Sequence, residues 1–143
     1  MQLWYWKRHY ERMKFYKEDR LTALEAKEKA QWIAFAPMVF QATRALRDLG
    51  ILTEVSLSKE KGLTLDEIAA KIKVSTYGIR VLLEAGLGIG VLIIQEGRYR
   101  LTKTGYFILH DKLTQVNMDF MNDVCYQGAF FLNESIKEEK PVG

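Results

Sequence analysis

The sequence is poor in the residues that carry catalysis, metal binding and covalent cross-linking. Its 143 residues include one cysteine, Cys125, and two histidines, His9 and His110. A single cysteine excludes an intrachain disulfide and gives no sign of an oxidising compartment, so we expect a cytoplasmic protein. Two histidines and one cysteine far apart in the sequence do not have the spacing of a metal site. We therefore predict neither catalytic residues nor a metal site in this chain.

Long apolar runs are also missing. The longest uncharged apolar run, residues 85–94, contains three glycines and is far shorter than the roughly 20 residues of a transmembrane helix. Charged side chains between Lys7 and Lys14 interrupt the N-terminal stretch where a signal peptide needs an apolar segment. We expect no membrane span, no signal peptide and no membrane partner.

Positive charge is concentrated at the N-terminus. The formal net charge is +3, and residues 1–20 alone hold six cations and three acids. The other residues are therefore neutral overall, although 27% of the chain is charged. Because proteins bind nucleic acid largely by neutralising phosphates, a neutral body argues against a nucleic-acid partner.

Residues 1–35 are predicted to form an aromatic and basic helical arm. Trp6, Tyr10, Met13 and Lys17 follow one another at helical spacing. Such an arm could stack on the bases of a single-stranded nucleic acid, but large aromatics along a helix are the usual anchors of protein interfaces. We predict a homodimer whose interface includes Trp4, Trp6, Tyr10, Met13 and Tyr16.

Residues 22–62 contain clear helix boundaries. Thr22 and Glu25 have the spacing of a capping box, which predicts a helix from there to about Ala36. Pro37 disfavours helical geometry in the residue before it and suits the first turn of a next helix, which Gly50 ends as a left-handed cap. Residues 51–62 are interpreted as a short apolar segment followed by a charged loop.

The next segment has the pattern of a winged helix-turn-helix. Thr64 and Glu67 form a second capping box before a short helix to Ile72, and Ser75 is a good N-cap for a longer helix. Residues 91–94 and 99–102 predict a β-hairpin, the wing. The predicted fold is mainly α: a winged helix-turn-helix over residues 36–110, with a two-stranded β-hairpin wing and flanking N- and C-terminal helices.

Gly86, Gly88 and Gly90 look like the glycine-rich loop of a nucleotide site. That loop needs a strand before the glycines and a helix after them, whereas here a capped helix precedes them and a hairpin follows. We therefore predict that these glycines end a helix and lead into the wing, and that this chain has no cofactor-binding residues.

The second helix of the motif raises the rival hypothesis of a DNA-binding transcription regulator. Its polar side chains include a single cation, Arg80, which Glu84 offsets. A helix that reads the major groove usually has cationic neighbours that contact phosphates. We therefore keep the winged-helix regulator as the alternative function only.

Residues 111–143 are predicted to be C-terminal helices rich in methionine and aromatic side chains. These side chains could be plain core, or they could line a pocket for a flat apolar ligand. His110 and Asp111 are adjacent on a helix, so they do not form a ready catalytic dyad. The candidate substrate-lining residues are His110, Met118, Met121, Tyr126 and Phe130.

Four sequence segments occur in an order that resembles a known family. They are residues 45–52, the Leu-Thr-Leu-Asp-Glu-Ile-Ala-Ala segment at 63–70, the leucine-rich helix and residues 97–102. Together they are similar to the N-terminal dimerisation (winged-helix) domain of S-adenosylmethionine-dependent O-methyltransferases. The similarity covers residues 36–105 well and the C-terminal helices loosely.

The resemblance implies a function that this chain would share with a larger enzyme. In that family the winged helix intertwines with its twin, and the helices after the wing roof the substrate pocket of a following catalytic domain. Residues 106–143 are too few to form that domain, so the chain is either one domain of a longer enzyme, in which S-adenosylmethionine would be bound by residues beyond this chain, or a free-standing relative. We expect a dimerisation and pocket-roofing domain that is not itself an enzyme, within a methyltransferase acting on a small-molecule acceptor.

Overall fold

The computed structural model describes residues 18–142 and divides the chain into two compact units, residues 1–37 and 38–143. The described part is mainly helical with a two-stranded antiparallel hairpin, which confirms the predicted fold class. The predicted interface residues lie outside the described residues: Trp4, Trp6, Tyr10, Met13 and Tyr16.

Helix α1, Ala23–Asp48, begins at the predicted capping box. The Thr22 amide donates to the Glu25 carboxylate at 2.8 Å, and the Glu25 amide donates to Thr22 Oγ1 at 3.3 Å. The predicted boundary at Ala36 is wrong, because α1 continues through Pro37. A proline inside a helix removes one backbone hydrogen bond, and the rest of this 26-residue helix supplies the bonds on either side.

Gly50 ends this first long helix as predicted, with a φ of 81° in the left-handed region. A further helix, α2, Ile51–Leu57, follows at once and leads to a single 3-10 turn, Lys59–Lys61. The sequence had indicated only a short apolar segment here. Three of its residues, Ile51, Leu52 and Val55, are buried in the core, and this burial stabilises a helix too short to persist alone.

The helix-turn-helix consists of α3, Leu65–Ala69, and α4, Thr76–Ile89. Its first helix begins with the predicted capping box, in which Thr64 Oγ1 accepts from the Glu67 amide at 3.2 Å. Its second helix begins with the predicted serine cap, the Gly78 amide donating to Oγ of Ser75 at 3.1 Å. Helix α3 is shorter than expected, ending before Ile72.

The wing consists of β1, Leu92–Gln95, and β2, Arg98–Leu101. Its pairing register confirms the predicted hairpin with strand ends displaced by one residue. Glu96 and Gly97 at the turn have φ values of 51° and 73°, as a two-residue turn matching the strand twist requires. Leu63 adds an isolated bridge to Tyr99, through two backbone hydrogen bonds of 3.1 and 2.8 Å.

The C-terminal helices follow the wing without a long loop. They are α5, Lys103–His110, and α6, Lys112–Phe120, which continues into a π-helical turn, Met121–Cys125. A 3-10 turn, Gly128–Phe131, then leads to α7, Leu132–Glu138. Predicted helical character after the wing is therefore confirmed.

The hydrophobic core lies between the end of α1 and the wing. At two glycines in this region, another part of the chain packs where a side chain would otherwise stand. A Cβ at Gly86 would lie 2.8 Å from Leu92, and one at Gly105 would collide with the carbonyl oxygen of Val91. The buried core residues are Leu46, Ile51, Leu52, Val55, Leu63, Ile68, Ile79, Leu83, Val91, Leu92 and Tyr99.

Candidate functional site

The exposed face of α4 is the first candidate site, because this helix holds the DNA-reading position of a helix-turn-helix. Tyr77, Arg80, Val81 and Glu84 are all exposed on it. This set offers two apolar side chains and one cation beside one anion. Its chemistry fits a protein or apolar surface better than a phosphate backbone.

The cations of the wing are already paired with acids. Arg98 Nη1 donates to Glu67 Oε2 at 2.9 Å and to the Gly62 carbonyl at 3.1 Å. Arg100 lies 3.7 Å from the Glu60 carboxylate. The Thr64 amide, and then the Arg98 guanidinium, hold the pKa of Glu67 below its ordinary value. These arginines hold the wing to the segment before α4.

The three clustered glycines do not form a ligand loop. Only Gly90, with a φ of 84°, ends α4 as predicted; Gly86 and Gly88 lie inside the helix, which corrects the prediction for those two. Gly86 packs in the core, where it lets Leu92 approach. The helix precedes β1, so the strand-turn-helix order of a dinucleotide site is not formed here.

The second candidate site is an apolar face on the C-terminal helices. We call Leu113, Val116, Phe120 and Val124 the α6 stripe, because they follow one another at three- and four-residue spacings along α6 and its π-helical turn. Their side chains are between 49% and 68% exposed, whereas Met118 on the same helix is buried. Helix α6 is therefore apolar on both an inner and an outer face.

An aromatic cluster adjoins this helix. The rings of Phe40 and Tyr126 stack with centroids 5.6 Å apart, and Tyr126 meets Phe130 edge-on at 6.4 Å. The structure thus brings together two predicted substrate-lining residues, and Phe130 is 78% exposed. Phe40 was missed, because its contact spans more than eighty residues of sequence and no local pattern indicates it.

The other three predicted lining residues have separate surroundings. Met118 is buried and Met121 is exposed. The Nε2 atom of His110 lies 3.1 Å from Ser56 Oγ, and its ring centroid lies 4.5 Å from that of Tyr106. Neither Ser56 nor Tyr106 was identified from the sequence: the contact of Ser56 with His110 depends on the tertiary fold, whereas Tyr106 lies four residues before His110 on α5, a spacing that could have indicated it.

Asp111 serves α6 as its N-cap. Its carboxylate accepts from Thr114 Oγ1 at 2.7 Å and from the Thr114 amide at 2.8 Å. Both bonds favour the charged form and lower the pKa of Asp111. This carboxylate is thus engaged with the helix that follows it, while His110 turns to Ser56.

An ion-pair network links α6 to the end of α1. Arg47 donates to Asp119 at 2.6 Å and to Asp48 at 2.7 Å. Burial opposes the charge of Arg47, but its contacts with the two aspartates outweigh that effect and raise its pKa. The network thus links α6, which bears the exposed stripe, to the end of α1.

Residues 18–142 hold neither a metal cluster nor a membrane-spanning helix. In that part of the chain, the structure contains no group of three or more histidine, cysteine, aspartate or glutamate side chains placed to hold a metal ion. No described helix is both long and apolar enough to span a membrane.

Comparison with known proteins finds similarity to one domain family and to part of several methyltransferases. The model of the family described as Dimerisation2-like domain matches residues 27–99. The L-tyrosine C(3)-methyltransferase of Streptomyces lavendulae is 29% identical over 119 residues, which cover 81% of this chain and 32% of that protein.

Solved structures show the same fold. The S-adenosylmethionine-dependent methyltransferase SibL in its apo form has a TM-score of 0.65 at 22% identity, covering 76% of this chain and 32% of that one. Human N-acetylserotonin methyltransferase in complex with S-adenosylmethionine has a TM-score of 0.63 at 22% identity, covering 85% and 35%. The chain thus spans about a third of the length of the relatives it matches.

Proposed function

The chain belongs to the Dimerisation2-like domain family, and from this premise we propose that it is the homodimerisation and pocket-roofing N-terminal domain of an S-adenosylmethionine-dependent O-methyltransferase. The family match confirms the dimerisation domain expected from the sequence. We further propose that the enzyme is cytoplasmic and that this chain has three segments: the arm at residues 1–35, the winged helix at 36–110 and the C-terminal helices at 111–143, which lead to a catalytic domain.

The distribution of apolar surface carries this proposal. The winged helix buries its own core, while the α6 stripe and much of α7 leave large apolar side chains in solvent. Contiguous exposed apolar surface marks interaction sites in soluble proteins. A twin subunit and a catalytic domain are the two partners that such a domain would meet.

Homodimerisation is tested directly on this chain by sedimentation at tens of micromolar. We expect a dimer, and a monomer at that concentration contradicts the proposal. Titration against mixed-sequence duplex DNA at low salt tests the rival regulator. We expect binding weaker than about 10 μM; tighter binding that falls steeply with salt would favour the regulator.

We propose that the roof includes Phe40 together with the five residues named from the sequence: His110, Met118, Met121, Tyr126 and Phe130. The stacked rings of Phe40 and Tyr126, with Phe130 edge-on to Tyr126, provide the apolar aromatic surface that an aromatic acceptor would contact. In the whole enzyme, Tyr126→Ala should raise the KM of the acceptor and leave that of S-adenosylmethionine unchanged. Tyr77→Ala is the matched control, and equal effects of the two substitutions count against the roof.

S-adenosylmethionine is assigned to a following catalytic domain and not to residues 1–143. Gly86 packs in the core and Gly88 lies within a helix, so their amides are not arranged around a ligand. Calorimetry of this chain with S-adenosylmethionine should therefore give no saturable heat. Micromolar binding would contradict this assignment.

A carbon acceptor is the second candidate reaction. The name of the Streptomyces relative specifies methylation at carbon 3 of tyrosine, whereas our proposal specifies oxygen. With the whole enzyme and a phenolic acceptor such as tyrosine, NMR of the product distinguishes the two. A methyl signal typical of a methoxy group supports the proposed reaction, and an aryl-methyl signal supports the alternative.

A further inference from the structure

The α6 stripe is a helix face exposed in the described part of the chain. It runs over twelve residues, from Leu113 to Val124, and the eleven steps between them span about 16 Å at a rise of about 1.5 Å per residue. The opposite side of the helix is held by buried Met118 and by the bond between Arg47 and Asp119. The stripe thus lies on the solvent side of a helix whose other side is engaged with the rest of the domain.

A segment outside the described residues has a matching pattern. Trp6, Tyr10, Met13 and Lys17 follow one another at spacings of four, three and four, and they too extend over twelve residues. Packed helices meet through rows of side chains spaced three and four residues apart. Two such rows of equal length can pack against each other along their whole length.

The charges of the two regions are complementary. Residues 1–20 carry six cations and three acids, a net charge of +3. Residues 111–143 carry six acids and three lysines, a net charge of −3. One of these acids, Asp123, is exposed on the π-helical turn that bears the end of the stripe, whereas Asp119 on α6 is already paired with Arg47. Opposite charge favours the encounter of these regions and disfavours pairing of two stripes with each other.

We propose that residues 4–17 of one copy pack along the α6 stripe of a second copy. The inference rests on the proposed homodimer and names the surface that the arm occupies. A two-fold pair forms this contact twice, since each copy supplies one arm and one stripe. The aromatic rings of the arm then cover side chains that α6 otherwise leaves in solvent.

Photo-cross-linking from Tyr10 in the whole chain tests the contact. Tyr10 is replaced by benzoylphenylalanine, equal amounts of normal and ¹⁵N-labelled protein are mixed and re-equilibrated, and cross-linked peptides are located by mass spectrometry. We expect links to residues 112–125 that join labelled to unlabelled chains. Links within one chain only, or links elsewhere in a dimer, overturn the inference while the homodimer stands. A monomer without intermolecular links overturns both.

A pair of substitutions supplies an independent measurement. Phe120→Gln removes an apolar side chain from the stripe without changing charge, and Phe107→Gln does the same outside it; the two side chains are 54% and 57% exposed. Phe120→Gln should raise the dimer Kd by about tenfold or more, from the apolar area lost at the contact. Phe107→Gln should leave the Kd within about threefold. Equal effects of the two, with circular dichroism unchanged, overturn the inference.

Discussion

The winged helix and the C-terminal helices differ in how they use apolar side chains. Between Leu46 and Tyr99, eleven large apolar side chains are buried together. Among the described residues after Tyr99, Met118 alone of the large apolar side chains is buried, while the α6 stripe and Phe130 are exposed. The first region stabilises itself. The second is held by caps, by the Arg47 ion pairs and by Ile108 and Leu109, which pack against the core, and it leaves other apolar side chains exposed.

The largest expected effect separates the two regions by truncating a leucine in each. Leu83→Ala removes a fully buried side chain and should lower the free energy of unfolding by about 2–5 kcal/mol. Leu113→Ala removes one that is 68% exposed and should change it by about 0.5 kcal/mol or less. Urea denaturation followed by circular dichroism, at a protein concentration below the dimer Kd, measures both changes. Similar losses would mean that α6 contributes to the core as much as α4 does.

A smaller effect is expected where the two regions meet. Gly105 lies in the first turn of α5, and a side chain there would press on the backbone of Val91. Gly105→Ala should therefore cost about 1–3 kcal/mol of unfolding free energy, the usual range for overpacking. A Cβ at Gly128 would meet no neighbouring atom within 4 Å, so Gly128→Ala is the control. Urea denaturation measures both variants. If Gly105→Ala leaves the urea midpoint unchanged, α5 can shift away from the wing.

Gly88→Ala should act in the opposite direction. Gly88 lies inside α4 with open space where a Cβ would stand, and alanine is the better helix former by about 0.5–1 kcal/mol. We therefore expect a modest rise in the thermal midpoint of the monomer. If Gly88→Ala raises the thermal midpoint of the monomer but also raises the dimer Kd, a partner contacts α4. The exposed face of α4 would then be an interaction surface as well.

Local signals in the sequence predicted the fold better than its long-range contacts. The capping boxes at Thr22 and Thr64 and the cap at Ser75 are short-range hydrogen bonds, so spacing alone predicts them. The helix boundary predicted from Pro37 was wrong because the proline affects only its own turn. The backbone hydrogen bonds of the other turns keep α1 continuous. Helix α2 escaped notice because only burial stabilises seven residues.

The candidate site was predicted less completely, for a related reason. The methionine and aromatic residues after the wing were identified by composition, but which of them meet depends on tertiary packing. Tyr126 and Phe130 contact each other because they are four residues apart on neighbouring turns. Phe40 contacts Tyr126, and Ser56 contacts His110, only because the fold brings distant parts of the sequence together.

The smallest expected effect concerns the acid that ties the wing to the winged-helix core. Bonding by the Thr64 amide and Arg98 lowers the folded-state pKa of Glu67 below its unfolded value, which is about 4.3. Its contribution to stability is therefore present above that unfolded value and is lost as pH falls through the lower folded pKa. Glu67→Gln should lower the thermal midpoint slightly at pH 7, and its difference from the parent chain should shrink toward pH 3. Glu96→Gln, at the exposed hairpin turn, is the control. A difference that stays constant from pH 7 to pH 3 would show that the carboxylate charge of Glu67 does not stabilise the wing.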